Sequence, residues 1–215
     1  MSSQPPSNIE LEFAERYDRE HAQVCREVRP EGALRRLVLW REKRLVRRAL
    51  KVAGEPGVIL DVACGVGRFW PVLIEHGNRV ILAADPSQSM LDHAKTHHPA
   101  PVLARIQMFK SSVFSIGLSE NAVDSIFCMQ LFHHVHASEH RLAILREFHR
   151  VSRDTLILSV HVGRSTIHGD ELQRATVSKH ELEAQFVQAG FSILKHYDVL
   201  PGCAVGSIYI VRKGI

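Results

Sequence analysis

Residues 58–68 read Val58-Ile59-Leu60-Asp61-Val62-Ala63-Cys64-Gly65-Val66-Gly67-Arg68. An apolar run that ends in an acid and then in two closely spaced glycines predicts a buried parallel strand, a tight turn and a following helix. Gly65 and Gly67 can adopt backbone angles that are closed to other residues, and they have no Cβ to hold a ligand away from the main chain. The free N–H groups of the following helix would point at this turn, so the stretch predicts a site for a nucleotide-like ligand.

The composition is typical of a globular domain. Hydrophobic residues make up 45% and charged residues 23% of the 215 residues, which predicts one large α/β domain with an N-terminal extension. No apolar run approaches the roughly 20 residues needed to span a bilayer. Residues 1–6 also lack the charged and apolar regions of a signal peptide, and we therefore expect a cytoplasmic protein. We also expect a monomer or homodimer. The scattered cysteines predict reduced thiols and no structural zinc site: Cys25, Cys64, Cys128 and Cys203.

Basic residues crowd the segment before the first strand. The net charge is only +4, but ten arginines and lysines lie between Arg26 and Lys51. Helices are predicted over 9–28 and 33–53, interrupted by Pro30 and Gly32, and we assign residues 1–56 to an N-terminal helical extension or lid. The basic residues fit a solvated helix face, recognition of an anionic substrate, or contact with nucleic acid or a membrane surface.

Strands and helices alternate through the rest of the chain. Strands are predicted at 58–62, 79–84, 105–109, 124–129, 155–160, 191–199 and 204–211, and the last two are joined closely enough to favour an antiparallel pair. The expected fold class is α/β: a Rossmann-like three-layer sandwich with a mostly parallel seven-stranded sheet, an antiparallel last strand and N-terminal helices. Residues 57–215 would form this domain.

Polar residues recur where the predicted parallel strands end. Ligands of such sheets bind beyond the carboxyl ends of the strands, so these residues are expected to share one crevice. They are Asp61, Gly65, Asp85, Gln130, His133, His134 and His161.

The glycine turn restricts the kind of ligand. Trp70 stands where a dinucleotide site would need its third glycine, and no Gly-Lys-Ser/Thr follows to make a phosphate-binding loop. The remaining candidate ligand is a nucleoside without a long phosphate chain. Asp85, about 20 residues further on, can accept hydrogen bonds from both ribose hydroxyls.

With these features the sequence resembles the class I S-adenosylmethionine-dependent methyltransferases, of the type that acts on small molecules. Five segments carry the resemblance in the family's order: Leu60–Gly67, Ala84–Leu91, Asn121–Ile126, Leu131–Val135 and Leu145–Val151. It implies S-adenosyl-L-methionine as the cofactor and S-adenosyl-L-homocysteine as the product. The implied cofactor-binding residues are Asp61, Ala63, Cys64, Gly65, Gly67, Arg68, Asp85, Pro86, Ser87, Met90, Ser112, Val113, Gln130, Leu131 and Tyr17.

Two positions depart from the family's pattern. Ala63 stands where the family often has glycine, a change that is tolerated if the backbone there does not need a positive φ. Ser112 stands where the family commonly has an aspartate for the adenine amino group. A serine hydroxyl could accept that bond, at a cost in affinity.

Histidines are the candidates for acid–base chemistry. A general base helps only an acceptor that carries a proton at neutral pH, and His133, His134 and His161 are the best placed. His133, His161 and Arg164 would bind the acceptor. A metal site is not expected, because the histidines at 133, 134 and 136 lie in a loop without a carboxylate or cysteine partner.

The sequence does not identify the methyl acceptor. We expect a small, possibly anionic metabolite or a glycan or lipid intermediate, with nucleic acid an unlikely partner because the chain lacks a separate nucleic-acid module. The alternatives are an RNA methyltransferase, in which the basic helix would follow the phosphates, and a regulatory protein that binds the cofactor without transferring its methyl group.

Overall fold

A computed structural model describes residues 32–162, 177–200 and 206–214. Its helices are α1 (Ala33–Val52), α2 (Trp70–Leu73), α3 (Gln88–His97), α4 (Ala100–Leu103), α5 (Ser138–Val151) and α6 (Lys179–Gln188). Its strands are β1 (Val58–Val62), β2 (Val80–Asp85), β3 (Ile106–Lys110), β4 (Val123–Cys128), β5 (Ser152–Val160), β6 (Phe191–Asp198) and β7 (Ser207–Lys213). A single 3₁₀ turn covers Phe132–His134. The helix predicted over 9–28 lies outside the described residues.

The seven strands form one sheet in the order β3-β2-β1-β4-β5-β7-β6. Strands β1 to β5 are parallel, whereas β7 lies between β5 and β6 and runs antiparallel to both. The predicted fold class is therefore confirmed, including the antiparallel last strand. Because β1 is central, with Leu60 beside Leu82 on one side and Ile126 on the other, the glycine turn opens at the middle of the sheet's carboxyl edge.

Helices cover both faces of the sheet, as the alternation of side chains along each strand requires. Ile59, Phe127 and Ile157 point to the face covered by α1, α2 and α3, and all three are fully buried. Their chain neighbours point to the opposite face, where α5 and α6 pack: Leu60, Ile126 and Leu156. The parallel strands are thus apolar on both sides, which gives the three layers that the sequence predicted.

Helix α1 is part of this core. Its apolar residues recur at a spacing of three and four, and Leu45, Val46, Ala49 and Leu50 are buried against the sheet. The assignment of residues 1–56 to a lid stays a prediction. Within the described ranges, no helix combines the length and the apolar character needed to cross a bilayer.

Many strand boundaries differ from the predicted ones by one residue, and β7 covers Ser207–Lys213 where 204–211 was predicted. Two further differences have a local cause. Helix α2 has only four residues, because the glycine turn continues through Phe69 before the helix begins at Trp70. Strand β5 begins at Ser152, directly after α5 and three residues before the predicted start. The Ser152 hydroxyl donates to the Phe148 carbonyl (2.7 Å) and closes the helix, while its backbone already pairs with Val123.

Candidate functional site

The turn after β1 is held to the neighbouring strand by its backbone. The Cys64 N–H donates to Ala84 at the end of β2 (3.1 Å), and the Gly67 N–H donates to the Cys64 carbonyl (2.9 Å). Ala63, Gly65 and Gly67 all have positive φ, of 54°, 54° and 74°. The condition under which Ala63 would be tolerated is therefore not met, and its side chain costs roughly 1–2 kcal/mol in this left-handed backbone.

Trp70 fills the space that Gly67 leaves. A Cβ built on Gly67 would lie 2.4 Å from the indole ring, which is fully buried. The Trp70 Nε1–H donates to Asp61 Oδ2 (2.9 Å). His98, at the end of α3, contacts the same indole (ring centroids 4.9 Å apart), and its Nε2 bonds the Val66 carbonyl (2.8 Å). Because that partner is a carbonyl, Nε2 carries the proton.

Asp61 lies beneath this turn and is only 4% exposed. Burial raises the pKa of Asp61 to about 8, and the nearby Asp85 charge acts in the same direction, while the Trp70 hydrogen bond opposes the shift. The carboxyl is therefore largely protonated at neutral pH in the ligand-free protein. A cation placed beside it would favour its ionised form.

The Asp61→Asn variant tests this protonation. The folded state, with a pKa of about 8 for Asp61, binds one proton more than the unfolded chain, whose aspartates titrate near about 4. The extra proton stabilises the folded state fully when the pH is below the pKa of Asp61 in the unfolded chain. This stabilisation is lost as the pH rises through the pKa of Asp61 in the folded state. We expect the free energy of unfolding of the parent to fall relative to Asp61→Asn between about pH 5 and pH 8, by up to about 1.4 kcal/mol per pH unit.

Urea denaturation of both proteins across that pH range measures the effect. Asn keeps an oxygen that can accept the Trp70 N–H, so the variant controls for the loss of that hydrogen bond. Parallel pH profiles for the two proteins would show that Asp61 is ionised throughout.

Asp85 joins the glycine turn to the start of α3. Its Oδ2 accepts the Gly65 N–H (2.8 Å) and its Oδ1 accepts the Ser87 N–H (2.9 Å). The residue is fully buried, and its own carbonyl accepts the Ser111 N–H (3.1 Å). Each carboxylate oxygen has a second lone pair, so the group that fixes the turn can also accept hydrogen bonds from a ligand.

Arg68 connects the turn to two other parts of the chain. Its guanidinium pairs with Glu42 of α1 and lies over the Phe69 ring (4.6 Å). With the Gln130 amide oriented to satisfy its neighbours, the amide oxygen accepts from both terminal nitrogens of Arg68 (3.1 and 3.2 Å). Burial raises the pKa of Glu42, against the lowering effect of Arg68. The ion pair thus places α1 beside the predicted cofactor cleft.

Gln130 also connects the ends of β4 and β5. It has a positive φ of 65°, and its N–H donates to the Ser159 hydroxyl (2.7 Å). The residues that follow Gln130, 131–136, contain three histidines and are called the histidine segment here. The contact of Gln130 with Arg68 therefore connects this segment to the glycine turn.

The three predicted catalytic histidines lie together. The His133 ring is 3.9 Å from the His134 ring and is stacked 5.3 Å from the His161 ring, measured between centroids. All three are half-buried. Next to them, Gly206 at the start of β7 has no Cβ, and one built there would lie 3.3 Å from the His161 ring.

A buried arginine holds the end of the histidine segment. Arg141 of α5 donates to the carbonyls of Val135 (3.1 Å) and His136 (2.7 Å) and is 4% exposed. It also pairs with Glu181 of α6. The Ser178 hydroxyl caps α6 by accepting the Glu181 N–H (3.1 Å), while the Glu181 carboxylate binds Arg141.

The remaining predicted residues surround the same edge of the sheet. Ser87, Met90, Val113 and Leu131 are buried, and Pro86 is half-buried. The Ser112 hydroxyl accepts the Phe114 N–H (3.2 Å). Tyr17 and Arg164 lie outside the described residues. Over the ranges that the structure covers, no group of three or more His, Cys, Asp or Glu is placed to hold a metal ion, and Cys64 and Cys128 are free thiols.

The sequence alone does not assign Glu42, Trp70 or His98 to this site. Glu42 could have been suspected, because it is the only acid between Ala33 and Ala53 and lies on the apolar side of its helix. The sequence indicates Trp70 only as an obstacle to a dinucleotide. The contact of His98 with the turn leaves no signal in the sequence, since His97 and His98 are equivalent there.

Comparison with known proteins finds a matching family model and a curated relative. Residues 60–158 match the model of a family described as "Methyltransferase domain". A methyltransferase-like protein of Schizosaccharomyces pombe is 30% identical over 79 residues, which are 37% of this chain and 29% of the relative. The chain therefore spans less than a third of that curated relative's length.

Solved structures of low sequence identity share the fold. Magnesium protoporphyrin IX methyltransferase from Synechocystis PCC 6803, crystallised with S-adenosylmethionine, has a TM-score of 0.71 at 14% identity, covering 99% of this chain and 100% of that one. The [4+2]-cyclase SpnF has a TM-score of 0.65 at 19% identity, covering 80% of this chain and 82% of that one.

Proposed function

We infer that residues 60–158, which match the model of a family described as "Methyltransferase domain", form a class I S-adenosylmethionine-dependent methyltransferase domain, and from that premise we propose that this protein transfers a methyl group from S-adenosyl-L-methionine to a small acceptor in the cytoplasm. The observation that carries the proposal is the pair of hydrogen bonds from the Gly65 and Ser87 N–H groups to the Asp85 carboxylate. They hold a buried acceptor for ribose hydroxyls against a turn that has no side chain at Gly65.

The chain's own residues provide the cofactor contacts. Asp85 accepts the ribose hydroxyls, and the Ser112 hydroxyl, which already accepts the Phe114 N–H, can bond the adenine amino group. Asp61 lies under the turn near the charged methionine end, where its carboxyl ionises beside a cation. Arg68, Gln130 and Leu131 border the same end. When bound, the cofactor supplies a methyl group on a cationic sulfonium.

The remaining work of catalysis is positioning. Methyl transfer is an in-line displacement, and holding the acceptor near about 3 Å from the methyl carbon supplies much of the rate. The stacked pair of His133 and His161 can bind the acceptor, and His134 can remove its proton where it is a hydroxyl. Arg164 is proposed to bind an anionic group of the acceptor. A metabolite or a glycan or lipid intermediate with a phosphate or carboxylate would suit these residues.

Calorimetry with S-adenosylmethionine is the first test. We expect one site per chain, with S-adenosylhomocysteine competing for it and NAD giving no heat of binding, because Trp70 occupies the place of the third glycine. A folded protein that binds neither compound would contradict the proposal.

A methyl-transfer screen then addresses the acceptor. The purified protein is incubated with labelled cofactor and a panel of small hydroxyl, amine, thiol and carboxylate compounds. Transfer to one of them supports the proposal. Cofactor binding with no transfer to any small compound, together with transfer to RNA, would replace the small acceptor by a nucleic acid.

A further inference from the structure

Helix α1 presents a face to solvent that its role in the core does not explain. Leu37 and Trp40 are 51% and 56% exposed, although large apolar residues are usually buried. They lie one turn apart. Trp40 is on the side opposite to Leu45 and Ala49, which pack on the sheet, and Leu37 is about 60° around the helix from Trp40. An exposed aromatic and aliphatic pair on one helix face indicates a surface that binds a partner molecule or a membrane.

The rest of this face is basic. Successive residues of a helix are about 100° apart around its axis. The cationic residues of this face therefore lie within an arc of about 140° around the axis of α1, and Trp40 lies inside that arc. They are Arg36, Lys43, Arg44, Arg47, Arg48 and Lys51. The only acid of the helix, Glu42, points to the opposite side and pairs with Arg68. Arg47 is paired with Glu75 of the neighbouring turn. We call these six residues with Leu37 and Trp40 the basic face.

The combination fits a lipid surface better than a nucleic acid. Helices that lie in a membrane interface carry arginine and lysine together with tryptophan and leucine. Leu37 has no ring on which a base could stack, and the Arg44 guanidinium lies 5.5 Å over the Trp40 ring and covers one side of it. Long basic side chains can reach phosphate headgroups while their stems pack beside the apolar pair.

We propose that the basic face docks on an anionic lipid bilayer, with Leu37 and Trp40 entering the headgroup region. The apolar pair lies in the same turns of α1 as Glu42, whose carboxylate binds Arg68 of the glycine turn. Because Glu42 faces away from the basic face, docking leaves α1, about 10 Å across, between the lipid and the glycine turn. Binding to the lipid does not depend on methyl transfer.

Tryptophan fluorescence of the full chain reports docking directly. The chain has two tryptophans, and Trp70 is fully buried, so a change on binding comes from Trp40. We expect emission to move to shorter wavelength with vesicles of phosphatidylcholine and phosphatidylglycerol in equal parts, and to stay unchanged with phosphatidylcholine alone. Added salt should weaken the binding.

Variants separate the two parts of the surface. In vesicle sedimentation, Leu37→Ser with Trp40→Ser should weaken binding about tenfold or more. Arg44→Gln with Arg48→Gln and Lys51→Gln should weaken it about a hundredfold. Val187→Ser is the matched control, because Val187 is 70% exposed on α6, and it should bind as the parent does. Circular dichroism checks that each variant is folded.

Three results would overturn the proposal. The first is equal binding to neutral and anionic vesicles, and the second is unchanged binding of the Leu37 and Trp40 variant. The third is binding of a single-stranded RNA oligonucleotide without any binding of anionic vesicles, which would assign the basic face to nucleic acid.

Discussion

Replacing Asp85 with alanine is expected to weaken S-adenosylmethionine binding by about a hundredfold or more. Two hydroxyl hydrogen bonds to a buried carboxylate are each worth about 1.5–3 kcal/mol, and about 1.4 kcal/mol corresponds to a factor of ten. The substitution also removes the acceptor of the Gly65 and Ser87 N–H groups, so the turn loses the contact that sets its position. Calorimetry at a temperature where the variant is folded measures the loss.

Asp92→Ala is the matched control for this experiment. Asp92 is an exposed carboxylate of α3 that contacts only Lys95 and Gln88 in the hydrogen bonds described for it, and its removal should leave cofactor affinity unchanged. Affinity of Asp85→Ala within about threefold of the parent would show that Asp85 stabilises the turn without touching the ligand. The cofactor site would then have to be sought elsewhere along the carboxyl edge.

Replacing Gly67 with alanine is expected to destabilise the fold by about 2–5 kcal/mol. A left-handed backbone costs an alanine about 1–2 kcal/mol, and overpacking a filled core costs about 1–3 kcal/mol more. The new Cβ would lie 2.4 Å from the Trp70 ring, which cannot move away because it is fully buried and bonded to Asp61. At about 2–4 °C per kcal/mol for a chain of this size, the midpoint of thermal unfolding should fall by about 10 °C.

Gly65→Ala provides the comparison, measured without cofactor. Gly65 also has a positive φ, but nothing lies within 4 Å of its Cβ position, so only the backbone cost remains. The loss should be about 1–2 kcal/mol. Equal losses for the two variants would mean that contact with Trp70 is not what makes Gly67 necessary.

The sequence predicts the fold well because its signals are local and repeated. Strands β1 and β2 are largely apolar runs of five and six residues, and Asp61 and Asp85 stand at or next to their carboxyl ends. The antiparallel pairing of the last strands follows from their short connection. The insertion of β7 between β5 and β6 does not follow, since it depends on long-range pairing such as Ile157 with Ile210.

The sequence predicts the individual residues of the candidate site but not the ion pairs that hold them together. The glycine turn, Asp85 and the histidines are visible because each has an unusual residue type at a strand end. The pairs Glu42 with Arg68 and Arg141 with Glu181 join residues 26 and 40 positions apart, and no spacing rule finds them. The left-handed backbone at Ala63 was also hidden, because alanine carries no signal for a positive φ.

The junction of α5 and β5 limits how the length of this chain can change. Val151 ends the helix and Ser152 begins the strand, so no connecting residue separates them. One inserted residue would either rotate α5 by about 100° or exchange the two faces of β5. The first change would turn Arg141 away from the histidine segment, and the second would turn Ser159 away from Gln130. Insertions and deletions should therefore be excluded from this point, even though it lies far along the chain from the glycine turn.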